Sequence, residues 1–96
     1  MSKFTTRIVL HGLTNLGAEE YQRLHALMRD AGFSTTITGA DGLTYHMPPA
    51  EYNIVSTKEL TEIRDVASKI AAQVSGNYGV LITEGDRAWQ GLKQAT

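Results

Sequence analysis

The chain has no cysteine, which excludes disulfide cross-links, thiolate nucleophiles and zinc–cysteine sites together. It has almost no excess charge: nine Lys and Arg stand against ten Asp and Glu, a formal net charge of −1. Tight nonspecific nucleic-acid binding draws on a surplus of cations that neutralises phosphates, and this balance argues against it. No apolar run approaches the roughly 18 residues of a membrane span, and residues 1–6 are too polar for a signal peptide. A cytoplasmic protein with no membrane and no DNA partner is expected. Proline occurs twice, side by side at Pro48 and Pro49. Neither residue can donate to a ladder, so the sheet must be interrupted there.

What is present suffices for one domain. Of 96 residues, 42% are hydrophobic and 20% charged, and a chain of this length buries roughly two thirds of its unfolded surface. "FTTRIVLHG" (4–12) is rich in β-branched residues and ends at a glycine, which predicts a strand. "GAEEYQRLHALMRDAG" (17–32) places Tyr21, Leu24, Leu27, Met28 and Ala31 at helical spacing. Glu19 and Glu20 suit its positive first turn, and Gly32 its stop. "FSTTITG" (33–39) predicts a second strand. "STKELTEIRDVASKIAAQVSG" (56–76) predicts a second helix, with Ser56 and Glu59 as its capping box and Leu60, Ile63, Ala67, Ile70 and Val74 as one apolar stripe. "YGVLITE" (78–84) predicts a last strand, and "DRAWQGLK" (86–93) a short helical turn.

The order β-α-β-β-α-β predicts a ferredoxin-like α+β sandwich, with antiparallel sheet order 4-1-3-2 and two helices on one face. In such a sheet the turn signals at Asp41-Gly42 and at Pro48-Pro49-Ala50 cannot both be full reversals. The reversal is assigned to 47–50, so that "LTYHM" pairs with "EYNIVS". Residues 39–42 are then a bulge or twist in one long second strand, 34–47. That strand lies at the sheet edge, and its "STTIT" carries no lysine or proline protection. A homodimer through this edge is therefore expected.

Few constellations carry chemistry. Gly12 and Gly17 have phosphate-loop spacing, but Ala18 and Glu19 stand where a lysine and a hydroxyl residue are needed, so this is a turn. His11, His25 and His46 are widely spaced, with no ligand pattern, so neither a metal site nor a cofactor is expected. No Ser-His-Asp set can be singled out, and Asp86 is read as capping the turn that follows the last strand. Phe4, Tyr45, Tyr52, Tyr78 and Trp89 lie on or beside strands, without the basic-aromatic run of an RNA-recognition sheet, and core packing is expected for most of them. His25 falls at the boundary of the first helix's apolar face.

Several stretches together resemble one known family. These are "RLHALMRDAGFST" (23–35), Gly42-Leu43, Met47, Tyr52, Ile54, the "ST" before the second helix, and "ELTEIRD" (59–65). The chain from the first strand to about Asp86 is similar to the GhoS-like proteins, whose namesake is the antitoxin of a bacterial type V toxin–antitoxin pair. The resemblance implies a ferredoxin-like fold similar to the small CRISPR-associated endoribonucleases, and an action on RNA, with cleavage of a toxin messenger in the namesake. Arg23 falls on an arginine of the family's first helix, and His25 on a second. Gly12 stands where an acidic residue closes the first strand, the position of a metal-binding aspartate in the related nucleases. Two functions remain open. One is an antitoxin-type protein contacting single-stranded RNA through Arg23, His25 and His46, an endoribonuclease if active, with catalytic residues unassigned. The other is a non-catalytic dimeric interaction module.

Overall fold

The computed structural model describes residues 1–95. In chain order the elements are β1 (Ser2–Leu10), α1 (Glu19–Asp30), β2 (Thr36–Thr38), β3 (Thr44–His46), β4 (Glu51–Ser56), α2 (Leu60–Val74) and β5 (Tyr78–Glu84). β1 is the centre of a three-stranded antiparallel sheet ordered β4-β1-β5, and β2 and β3 form a second, two-stranded antiparallel sheet.

The alternation of β1 decides which face of the main sheet is covered. Phe4, Thr6, Ile8 and Leu10 are buried, whereas Lys3, Arg7 and Val9 on the opposite face are exposed. Tyr21, Leu24 and Met28 of α1 and Ile63, Ala67, Ile70 and Ala71 of α2 close over the buried face. Their recurrence every three or four residues puts each set on one side of its helix. Ala71 replaces the expected Leu60 in the α2 stripe, and Leu60 is left 40% exposed.

Local chemistry sets the helix ends. After α1, Phe33 N–H donates to Met28 O (3.0 Å) and Gly32 N–H to Arg29 O (3.0 Å), with Gly32 at φ +95°. This paired closure needs a left-handed residue, which glycine supplies without strain. The start of α2 departs from expectation. Glu59 is the cap, its side chain accepting from the backbone of Glu62, while Glu62 Oε1 accepts from Glu59 N (3.1 Å). Ser56 Oγ instead accepts from Lys58 N (3.1 Å), which orders the turn before the helix.

The predicted single four-stranded sheet, order 4-1-3-2, is corrected to two sheets. Residues 39–42 close a hairpin: Gly39 N–H donates to Leu43 O, Gly42 N–H to Gly39 O, and Gly42 sits at φ +79°. A loop that ends in a left-handed glycine is a common short hairpin closure. Asp41 reinforces it, Oδ1 accepting from Leu43 N and Oδ2 from the Tyr45 hydroxyl. The proline stretch is also a hydrogen-bonded turn, Glu51 N–H to Pro48 O (3.1 Å), with Ala50 at φ +62°. The two turns coexist because the chain bends at Thr35. Ser34 pairs with Asn53 of β4, exchanging two 2.7 Å hydrogen bonds, and β2 then turns away to pair with β3. Counting reversals within one flat sheet could not register that bend.

The expected helical turn over 86–93 is absent. Ala95 N–H donates to Thr44 O and His46 N–H to Lys93 O, so the end of the chain runs antiparallel along β3. β2 and the chain end thus flank β3 on its two sides. Of the "STTIT" segment, Ser34 bridges Asn53 of β4 and Thr36–Thr38 pair with β3 on one side, so β2 is the outer strand of the second sheet.

Thr6 has a testable cost. Its side chain is fully buried, and Oγ1 has no hydrogen-bond partner. Replacing an unpartnered buried hydroxyl by a methyl removes a desolvation cost of about 1–3 kcal/mol. Thr6→Val should therefore raise stability by about 1 kcal/mol in chemical denaturation. A loss of stability would show that Oγ1 has a partner in solution.

Candidate functional site

The three residues expected to contact RNA lie in different settings. Arg23 and His25 are two positions apart on α1, so about 200° separates their side chains around the helix. Arg23 is exposed accordingly, and His25 is half-buried against the sheet. His25 Nδ1 lies 2.6 Å from the Tyr52 hydroxyl, with the rings tilted at 58° and their centroids 5.6 Å apart. His46, on β3, has an exposed side chain, and its backbone is held by Lys93. The fold does not bring the three onto one surface patch of α1.

Burial, reinforced by the nearby Arg29 guanidinium, lowers the pKa of His25 below its ordinary value of 6.5. Burial likewise pushes the Tyr52 phenol well above the usual tyrosine range, with Tyr21 adding to the effect. Both groups are therefore neutral near pH 7. The arrangement that satisfies both has the Tyr52 O–H donating to Nδ1, with the ring proton on Nε2. A cationic His25, the form that would contact an RNA phosphate, is thus disfavoured in the folded state.

This has a sign in stability. The unfolded chain binds a proton at His25 near pH 6.5, and the folded chain only at lower pH. The unfolded state then holds more protons in that window, so stability is full above pH 6.5 and falls as pH drops through it. The wild type should lose melting temperature between pH 7 and the folded pKa, and His25→Gln should flatten that part of the profile. Parallel slopes in the two proteins would refute the assignment.

Position-by-position reading missed a grouping on the uncovered face of the main sheet. Arg7 and Val9 project from it on β1, His11 follows just beyond the strand, and Leu81 stands beside Arg7 in register. Gly79 lies opposite Val9, and a Cβ there would meet Val9 Cγ1 at 3.0 Å and His11 Nε2 at 3.4 Å. Glycine thus lets the Val9 and His11 side chains lean over β5, and a shallow depression of about 320 Å³ beside them is lined by Arg7, Val9, His11, Gly79, Val80 and Leu81. Leu81 is 64% exposed and Val9 41%. The signal was in "RIVLH": a period of two assigns Arg7, Val9 and His11 to one face and Ile8 and Leu10 to the other.

A second groove, of about 460 Å³, runs between the 39–42 turn and the returning chain end, with Asp41, Tyr45, Arg87 and Trp89 in its wall. Tyr45 and Trp89 meet edge to face at 5.9 Å. Arg87 Nη1 donates to Phe4 O at 3.0 Å and approaches Thr5 Oγ1 at 3.4 Å, tying the chain end to β1. Partial burial lowers its pKa, against the opposing charge of Asp86. Asp86 itself forms an exposed ion pair with Lys3 of β1 at 3.3 Å, and among the described residues its side chain accepts no backbone hydrogen bond of a following turn. The hydrogen bonds from Leu43 N and Tyr45 hold the Asp41 carboxyl below its usual value. Among the described residues no three His, Asp or Glu side chains gather in a way that could hold a metal ion, and no helix is long and apolar enough to cross a membrane.

No family model matches the chain, and no curated protein matches it. The aromatics divide as their strands do. Phe4 and Tyr52 are fully buried, Tyr78 packs partly against the core, and Tyr45 of β3 pairs with Trp89 of the returning chain end.

Proposed function

We propose that the chain is a ferredoxin-like interaction module of GhoS-like type, working without catalysis through the uncovered face of β4-β1-β5. The single observation that carries this reading is the exposed apolar pair Val9 and Leu81, flanked by Arg7 and His11 around the depression beside Gly79. Apolar centres with a polar rim are how interaction surfaces are built. The ferredoxin-like reading is supported by the order β4-β1-β5, by the Ser34–Asn53 pairing beyond β4, and by both helices closing on one face. On this reading the β2-β3 hairpin is an elaboration of the second strand.

A second reading keeps an antitoxin-type action on RNA. It is favoured by Lys3 and Arg7, which β1 presents on the same face, with His11 just after the strand, and by the exposed Arg23 of α1. Arginine holds phosphate by a forked contact, and each phosphate neutralised contributes about one unit to the salt dependence of binding. Labelled single-stranded RNAs, with and without magnesium, separate the two readings when titrated with highly purified wild type, Arg7→Ala and Arg23→Ala. The module reading expects intact RNA, and any residual cleavage equal in all three proteins. Cleavage by the wild type that either substitution abolishes would establish an endoribonuclease and end the non-catalytic reading.

A further inference from the structure

We infer that β5 is the seam of a homodimer, pairing antiparallel with β5 of a second copy about a two-fold axis at Leu81. β5 has β1 on one side only. Gly85 N–H donates to Lys3 O and His11 N–H to Asn77 O, which fixes the odd-numbered residues of β5 as those bonded to β1. In an antiparallel ladder the bonded and non-bonded positions alternate. The backbone N–H and C=O of Tyr78, Val80, Ile82 and Glu84 therefore point away from β1, and no segment among the described residues accepts them. Natural edges are guarded by lysine, proline or bulges. The stretch Tyr78–Glu84 has none of these, and its first six residues carry no charge.

The edge is complementary to itself. A two-fold axis at Leu81 sets Val80 against the partner's Ile82 and Tyr78 against the partner's Glu84. Every outward residue then meets an outward residue and can exchange both hydrogen bonds with it. No like charges face each other in this register. Leu81, at 64% the most exposed large apolar side chain of the strand, falls opposite its own copy at a non-hydrogen-bonded position, where side chains approach most closely. On the helix side, Val80 and Ile82 border a groove of about 230 Å³ beneath Leu60, Thr61 and Arg64 of α2. The partner's Ile82 and Val80 would stand beside that groove, next to the exposed Leu60. An identical strand is thus the occupant whose hydrogen bonds, charges and apolar positions all match, and closed two-fold pairing is the commonest assembly of such patches. The result is one six-stranded sheet in which the rows of Arg7 and His11 from both copies lie on a single face.

The absence of native cysteine makes the test selective. Leu81→Cys and Thr83→Cys each introduce one thiol at an exposed position of β5. Under mild oxidation Leu81→Cys should form a covalent dimer, because facing non-bonded positions have a Cα separation that suits a disulfide. Thr83→Cys should remain largely uncross-linked, since two-fold symmetry sets it opposite the partner's Gly79. Sedimentation of the unmodified protein at a few hundred micromolar should give the dimer mass, and Leu81→Lys should return it to monomer with its far-ultraviolet spectrum unchanged. A monomer at all concentrations, or equal cross-linking at both positions, would overturn the assignment. The seam shares Leu81 with the face proposed above, and the two tests remain distinct: RNA titration with Arg7→Ala and Arg23→Ala reads the face, and cross-linking at positions 81 and 83 reads the seam.

Discussion

Tyr52→Ala should destabilise the domain by about 3–5 kcal/mol, the range for deleting a fully buried aromatic ring. Tyr52 has no exposed surface, lies on the helix-covered face of β4 opposite Thr6, and packs into the same core as Phe4, Leu24 and Ile63. Its removal also strips His25 of its hydrogen-bond partner. A domain of this size has about 5–15 kcal/mol of total stability, so the change takes a large share of it. Tyr52→Phe keeps the ring and loses only the hydroxyl, and about 1 kcal/mol is expected. Urea denaturation of the three proteins measures both steps. A Tyr52→Ala loss below about 1 kcal/mol would mean that the ring is not packed in the core as described.

Removal of the chain from residue 86 onward should unfasten the second sheet while leaving the first intact. The lost segment supplies Lys93 O to His46 N–H and Ala95 N–H to Thr44 O, together with the Trp89 ring against Tyr45. Two backbone hydrogen bonds at about 1 kcal/mol each and an aromatic pair at about 0.5–1.5 kcal/mol sum to about 3 kcal/mol. Amide exchange in β2 and β3 should accelerate roughly 100-fold. An isolated two-stranded hairpin is marginal in water, which is why the effect concentrates there. Leu10 N–H should keep its protection, since its acceptor is the buried Tyr21 hydroxyl at 3.0 Å. Equal acceleration in β1 and β3 would show instead that the two sheets open as one unit.

The candidate site was legible in part. The boundary position of His25 followed from helical spacing, but its hydrogen-bond partner Tyr52 lies 27 residues further along the chain, and the burial that lowers its pKa comes from the packed fold. Arg23 and His25 look adjacent in a line of letters, yet the helix turns them to different sides. The uncovered face was recoverable from period-two alternation in β1. Its depression was not, because that depends on Gly79 sitting opposite Val9 across a ladder.

Sequence by itself determined the elements whose signals are local. The apolar alternation of β1, the helical spacing of Tyr21, Leu24 and Met28, the stop at Gly32 and the strand Tyr78–Glu84 all depend on neighbours within a few positions. The absence of cysteine likewise settled its own chemistry without any structure. Tertiary structure alone decided how the middle of the chain is used. The turn at 39–42 and the turn at Pro48 both form, because a bend at Thr35 leaves Ser34 with β4 and delivers β2 to β3. It also decided that residues 93–95 add to β3 rather than continue a helical turn. Local propensity at Asp86 to Lys93 is weak in either direction. The unsatisfied edge of β3, nearly 50 residues away in sequence from Lys93, supplies the hydrogen bonds that settle it.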